Sequence, residues 1–233
     1  MNDMTTIKRC RERGFTLIEI AIVLVIIGLL LGGVLQGQQL IENSRVKSAT
    51  NDFNGIAAAM FSYQDRYGRL PGDDPNAGKD RGDSWSGDAD TSAEGESSSK
   101  GNGRLDALSG EAFDGKGEAG EFFQNLRSAG FISGSPTEKD ARALPQNPFG
   151  GLTTVVSDEV LKGSGTSGLN GTKICMTNVP GTSAIALDTQ LDDGKIDAGR
   201  FRAASESAET VNIDSAGTDS YNEDTNYIVC YRI

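Results

Sequence analysis

The chain has 233 residues, a formal net charge of -11 and no histidine. The lack of histidine excludes Ser-His-Asp and Cys-His catalysis and every zinc site with a histidine ligand. The acidic balance argues against nucleic acid as a partner, because phosphate binding needs clustered lysine and arginine. No pair of carboxylates stands out among the many present, so we do not expect an enzyme.

Residues 1–14 form a short basic leader in front of an apolar segment. Its basic side chains are Lys8, Arg9, Arg11 and Arg13. Such a flank is expected to stay on the cytoplasmic side of a membrane. Removing the leader would change the net charge from -11 to about -13 and would also remove Cys10.

Residues 15–35 are apolar almost throughout, and their only charge is Glu19. At 1.5 Å per residue these residues make a helix of about 30 Å, which is enough to span a bilayer core. The alternative is an ordinary signal anchor or a cleaved secretory signal. A secretory signal carries its small-residue cleavage site after the apolar core, whereas Gly14 precedes it here.

Helical spacing continues beyond the apolar segment, so we predict one long helix over residues 15–67. Its second half is amphipathic, with a stripe at Leu40, Val46, Phe53, Ile56, Ala57, Met60, Phe61 and Tyr67. Packing of this stripe on the rest of the chain would stabilise that half. Gly68 and the following Leu70-Pro71-Gly72 end the helix, because proline cannot continue it.

The segment Gly14-Phe15-Thr16-Leu17-Ile18-Glu19 with its apolar run resembles the N-terminus of type IV pilins and of type II secretion pseudopilins. The resemblance implies that a prepilin peptidase cuts between Gly14 and Phe15 and that Phe15 is then N-methylated. It also implies that Glu19 pairs with the amino group of Phe15 on a neighbouring subunit. Many type IV pilins carry a proline in this region, and this chain has none between Phe15 and Leu70.

The middle of the chain contains a polar loop and then a helix. Residues 72–104 are rich in Gly, Ser and Asp and predict a long surface loop that contains Trp85. Residues 105–131 regain helical character, with Gly130 as a C-terminal cap. Leu70 to Asp73 and Leu126 to Gly134 form a second resemblance to a subset of pilin-like proteins.

The C-terminal third predicts short antiparallel strands at 152–156, 173–177 and 227–231. Residues 182–193 predict a short helix ended by Gly194, with a strand as the alternative. Outside the cytoplasm, Cys175 and Cys230 predict a disulfide, and two separate buried thiols are the alternative.

An acidic stretch close to this helix raises the possibility of calcium. Its candidate ligands are Asp188, Asp192, Asp193 and Asp197. Oxygen ligands at short intervals with a turn glycine suit calcium, but the spacing is not that of an EF-hand. A helix C-terminus with aspartate side chains hydrogen-bonded to the turn is the alternative interpretation.

Together these patterns predict an α+β chain with the ladle form of a pilin: a leader (1–14), the long helix (15–67) and a head domain (68–233). The predicted function is that of a structural subunit of a type IV pilus-like filament. The alternatives are a pseudopilin of type II secretion and a low-copy tip subunit that acts as a binding module. Expected partners are copies of the chain, other pilin-like subunits, the prepilin peptidase, an inner-membrane assembly platform and, before assembly, the membrane itself.

Overall fold

The computed structural model of the chain describes residues 15–75, 77, 101–162, 167–206, 213 and 220–233. Its helices are α1 (Leu17–Tyr67), α2 (Gly117–Ser128) and α3 (Gly181–Leu191), and its strands are β1 (Thr153–Val156), β2 (Lys173–Pro180), β3 (Phe201–Ser205) and β4 (Asn226–Arg232). This arrangement confirms the predicted α+β class with a long N-terminal helix and a small antiparallel sheet. The leader and Trp85 lie outside the described residues.

The chain divides into two compact units, Met1–Glu42 and Asn43–Ile233. The helix α1 contributes its apolar half to the first unit and its amphipathic half to the second. Among the residues that the structure describes, all four strands therefore belong to the second unit.

Within the second unit, α1 packs one face on the sheet. The buried positions recur every three or four residues, at Val46, Ala49, Phe53, Ile56, Met60 and Tyr63. The ring of Phe53 meets Phe201 edge-on at 6.4 Å and Tyr231 at 5.6 Å, centroid to centroid. Leu40 and Phe61 were wrongly predicted to belong to this stripe, because both side chains are exposed.

The turn after α1 is held by buried carboxylates. Asp73 accepts hydrogen bonds from the backbone N–H groups of Gly101, Asn102 (3.1 Å) and Gly103 (2.7 Å). Asp74 accepts one from the hydroxyl of Tyr63 at 2.9 Å. Both carboxylates are therefore buried and hydrogen-bonded within the fold rather than exposed to solvent.

Gly72 makes this turn possible. Its φ is +91°, and an added Cβ would lie 2.7 Å from the carbonyl oxygen of Glu118. A side chain there would be strained in its backbone and would collide with α2. The Leu-Pro-Gly-Asp sequence at 70–73 thus has a structural explanation in this fold.

The four strands form one antiparallel sheet in the order β1-β2-β4-β3. Strand β3 was not predicted, because Phe-Arg-Ala-Ala-Ser carries few of the β-branched residues that mark strands. Residues 181–191 are helical, so the strand alternative for this segment is wrong. The predicted cap at Gly130 is confirmed by its φ of +77° directly after the end of α2.

The sheet has a core on each face. One face, with Ile174, Phe201 and Val229, belongs to the larger core with α1, α2 and α3. The other face carries Cys175 and Cys230 and packs in a smaller core of loop residues such as Val160, Leu161 and Leu169.

A fully buried lysine lies at the start of β2. The Nζ of Lys173 donates to the carbonyl oxygens of Asp158 and of Gly171 (2.7 Å). Burial lowers the pKa of Lys173 to about 8, although the charges of Asp158 and Glu159 oppose the fall. The protonated form of Lys173 is therefore less stable in the folded chain than in water.

Candidate assembly site

The N-terminus of α1 is capped by reciprocal hydrogen bonds between Thr16 and Glu19. Thr16, directly before the helix, donates to Oε2 of Glu19 from both its backbone N–H and its hydroxyl, each at 2.7 Å. The backbone N–H of Glu19 donates in return to the Thr16 hydroxyl oxygen at 3.4 Å. This is a capping box, and the Thr-x-x-Glu sequence could have predicted it.

The capping box gives the Glu19 carboxylate a fixed place at the positive end of the helix dipole. The side chain remains exposed, and among the described residues no donor is recorded for its other oxygen, Oε1. The carboxylate can therefore accept a further cationic or N–H donor without leaving Thr16. Phe15, the predicted new N-terminus, is 84% exposed, and Gly14 lies outside the described residues.

The apolar half of α1 leaves its side chains uncovered. By length and composition, this helix is the one in the described part of the chain that could cross a membrane, and its most apolar window has a mean hydropathy of 2.8. None of that window is buried within the chain. Exposed apolar surface of this extent marks a surface for lipid or for other proteins.

Glycines interrupt this apolar surface without any packing reason inside the chain. A Cβ built on Gly28 or Gly32 meets no atom within 4 Å. Small residues at this spacing allow another helix to approach closely in a membrane. The chain's own fold does not explain them.

The predicted disulfide joins Cys175 and Cys230, with an S–S distance of 2.06 Å. The two residues are direct partners in the register of β2 and β4, and both are fully buried. The alternative of two separate thiols is therefore wrong.

Three of the four predicted calcium ligands come together. Asp188, Asp192 and Asp193 each place a carboxylate oxygen within 4.8 Å of the others. The group found among the described residues does not include Asp197.

Each of these three carboxylates also holds the turn after α3. Asp188 accepts hydrogen bonds from the hydroxyl of Tyr221 (2.6 Å) and from the N–H of Gly194 (3.1 Å). The other two accept from backbone N–H groups of the residues that follow, at Lys195, Arg200 and Phe201. Burial raises the pKa of Asp188, and the neighbouring carboxylates add to the rise. These contacts are those of the alternative interpretation, aspartates hydrogen-bonded to the turn, and calcium binding stays an untested hypothesis.

Residues 9–35 match the family described as the prokaryotic N-terminal methylation motif. A comparison with curated proteins found no match to the chain. The motif indicates a structural protein rather than an enzyme, and it implies processing by a prepilin peptidase and assembly with other pilins. Together with the apolar helix, it is consistent with a precursor anchored in the inner membrane. The chain thus carries, at residues 9–35, the signal motif of type IV pilins and pseudopilins on an α+β, pilin-like fold.

Proposed function

We propose that the chain is a structural subunit of a type IV pilus-like filament and is assembled from the inner membrane through α1. The observation that carries the proposal is the combination of the methylation motif with an apolar half-helix that none of the described residues covers. Lipid covers this surface before assembly, and copies of the chain cover it in the filament. The head, residues 68–233, then faces the outside.

The capping box provides a role for Glu19 in both states. Before assembly, Thr16 supplies hydrogen bonds to the carboxylate, which lowers the cost of carrying a charge near the membrane. In the filament, the amino group of Phe15 on a neighbouring copy pairs with the same carboxylate. A charge pair away from water favours only the arrangement in which both charges meet, so it selects the register between copies.

The test separates the charge of Glu19 from its capping role. Glu19→Gln keeps a capping residue, because glutamine also serves at this position of a capping box, but removes the charge. We expect normal amounts of processed protein in the membrane and a filament yield reduced about tenfold or more, as for the loss of one partner of a buried pair. Glu19→Ala should behave in the same way.

Thr16→Val is the matched control. It removes the hydroxyl of the capping box and leaves both the backbone N–H of Thr16 and the Glu19 charge in place. We expect filaments in near-normal amounts. A normal yield from Glu19→Gln, or an equal loss in Thr16→Val, would show that the carboxylate acts only as a helix cap.

A pseudopilin of type II secretion and a low-copy tip subunit share the same N-terminal chemistry. A head of this size with a long polar segment at 72–104 favours an exposed surface filament over a periplasmic one. Quantifying the chain in sheared surface filaments distinguishes the three roles. A major subunit makes up nearly all the filament mass, a tip subunit a trace, and a pseudopilin remains in the cell envelope.

A further inference from the structure

A groove runs along one flank of α1 inside the second unit. It encloses about 320 Å³. Its walls are Asp52, Gly55 and Ile56 of α1, Phe131 and Ile132 after α2, and Pro145 before β1. The lining is mixed, because polar residues of the wall stand beside the apolar ones, at Asn51, Ser133, Gln146 and Thr153. Together with the Asp52 carboxylate, it suits a side chain with an apolar stem and a cationic end.

Asp52 is the charged group of this groove. It is half-buried, and the described part of the chain offers it neither a hydrogen bond nor an ion pair. Burial raises the pKa of its carboxyl, because water no longer fully solvates the charge. A cation placed in the groove would reverse that penalty.

Lys47 lies five residues earlier on the same helix and is exposed. No partner for its ammonium is found among the residues that the structure describes. At 100° and 1.5 Å per residue, Lys47 points about 140° away from Asp52 and lies about 7.5 Å from it along the axis. It therefore cannot reach the groove of its own chain.

We propose that the groove receives the side chain of Lys47 from a second copy of the chain and that its ammonium pairs with Asp52. The inference rests on the proposed filament function, in which all copies run in the same direction. Each copy has its lysine and its groove on different sides of α1, so the two surfaces in contact are different ones. A head-to-tail contact of this kind can add copy after copy without forming a closed ring. An open filament needs this kind of interface.

The spacing of Lys47 and Asp52 gives the shift between copies that the contact needs. The two residues are five apart, which is about 7.5 Å of helix rise. A neighbouring copy shifted along the helix by that distance brings its Lys47 level with Asp52. The apolar groove walls would take the four methylenes of the lysine.

Cysteine cross-linking in the full-length chain tests the contact. The variant Lys47→Cys with Asp52→Cys is produced in cells that assemble filaments. Sheared filaments are treated with a reducible thiol-specific cross-linker about as long as a lysine side chain, because a lysine that reaches Asp52 holds the two Cα atoms farther apart than the roughly 7 Å limit of a direct disulfide. A link within one chain leaves a monomer, so we expect the contact between copies to give a ladder of dimers and higher multimers that collapses on reduction.

The matched control is Lys47→Cys with Asp65→Cys. Asp65 is an exposed aspartate of α1 outside the groove, on the same side of the helix as Lys47. A ladder from the first pair alone supports the contact, whereas filaments that give no ladder, or equal ladders from both pairs, overturn it. Absence of filaments from the unaltered chain would instead overturn the proposed function, and this contact with it.

A charge exchange keeps the test decisive if the cysteine variant does not assemble. Asp52→Lys and Lys47→Asp, each alone, place like charges together and should lower the filament yield about tenfold. The double variant restores opposite charges and should recover most of the yield. If the filament yield of the double variant is no higher than that of the single variant with the lower yield, at equal protein levels in the membrane, the pairing is contradicted.

Discussion

The two units of this chain use apolar side chains in opposite ways. In the first unit, Leu30 is 63% exposed and no part of the most apolar window is buried. In the second unit, Phe53 on the same helix is fully buried between sheet residues. The comparison shows that the second unit is stabilised by its own contacts, whereas the described chain buries none of the most apolar window of α1.

The largest effect should come from the same truncation made in each unit. Phe53→Ala removes a buried ring and should destabilise the second unit by about 3–5 kcal/mol. Leu30→Ala truncates a largely exposed side chain and should change the stability by less than about 0.5 kcal/mol. Thermal unfolding of the full chain in detergent micelles measures both. Equal losses would contradict the division into two differently stabilised units.

The disulfide sharpens the comparison, because only the head contains it. Replacing Cys175 and Cys230 by alanine should cost the head about 2–4 kcal/mol, mainly because the unfolded chain regains the freedom of a long loop. Cys10→Ala is the control, since that residue lies in the predicted leader. Unfolding followed by the near-ultraviolet signal of the head tests this, and an unchanged midpoint in the double variant would refute it.

Lys173 predicts a pH dependence that belongs to the head alone. The pKa of this lysine is lowered to about 8, so above pH 8 the folded chain loses a proton that the unfolded chain retains up to about pH 10. Stability should therefore rise with pH in this window, by about 1 kcal/mol per pH unit.

The rise in stability should end near pH 10, because a second group then begins to titrate. Burial and the hydrogen bond to Asp188 raise the pKa of Tyr221 far above its usual range, so ionisation of this tyrosine in the unfolded chain then favours unfolding. Denaturant titrations of the chain and of Lys173→Met between pH 7.5 and 9.5 isolate the lysine. An equal slope in both proteins would assign the effect to another group.

The smallest effect is expected from calcium at the turn after α3. Asp188, Asp192 and Asp193 already accept hydrogen bonds from the turn, so we expect the melting temperature in calcium and in a chelator to agree within about 1 °C. A rise of several degrees with calcium would instead establish the metal site. Asp192→Asn should then abolish it, and Asp197→Asn, outside the close group, serves as the control.

The sequence was most informative where one pattern repeats over many residues. The length of α1, its end near Gly68 and the strands around Cys175 and Cys230 follow from hydrophobic spacing and proline placement. Strand β3 escaped prediction, because Phe201 and its alanine neighbours become a strand only through pairing with β4. Tertiary context decided that segment.

The candidate sites also differ in whether the sequence alone could predict them. Glu19 stands out because a charge in an apolar run is unusual, and its partner Thr16 was available in the sequence but overlooked. The groove at Asp52 could not be predicted, since it needs Phe131 and Pro145 to be brought beside α1 by the fold. The buried role of Asp73 likewise depends on backbone groups some thirty residues later.

Mass spectrometry of sheared surface filaments, with and without reduction, tests the central claim most directly. The account predicts an abundant species that begins at methylated Phe15 and, before reduction, is lighter by the two hydrogens of the Cys175–Cys230 disulfide. The same species confined to the cell envelope would favour the pseudopilin. A chain that still begins at Met1 in every fraction would contradict the assignment as a filament subunit.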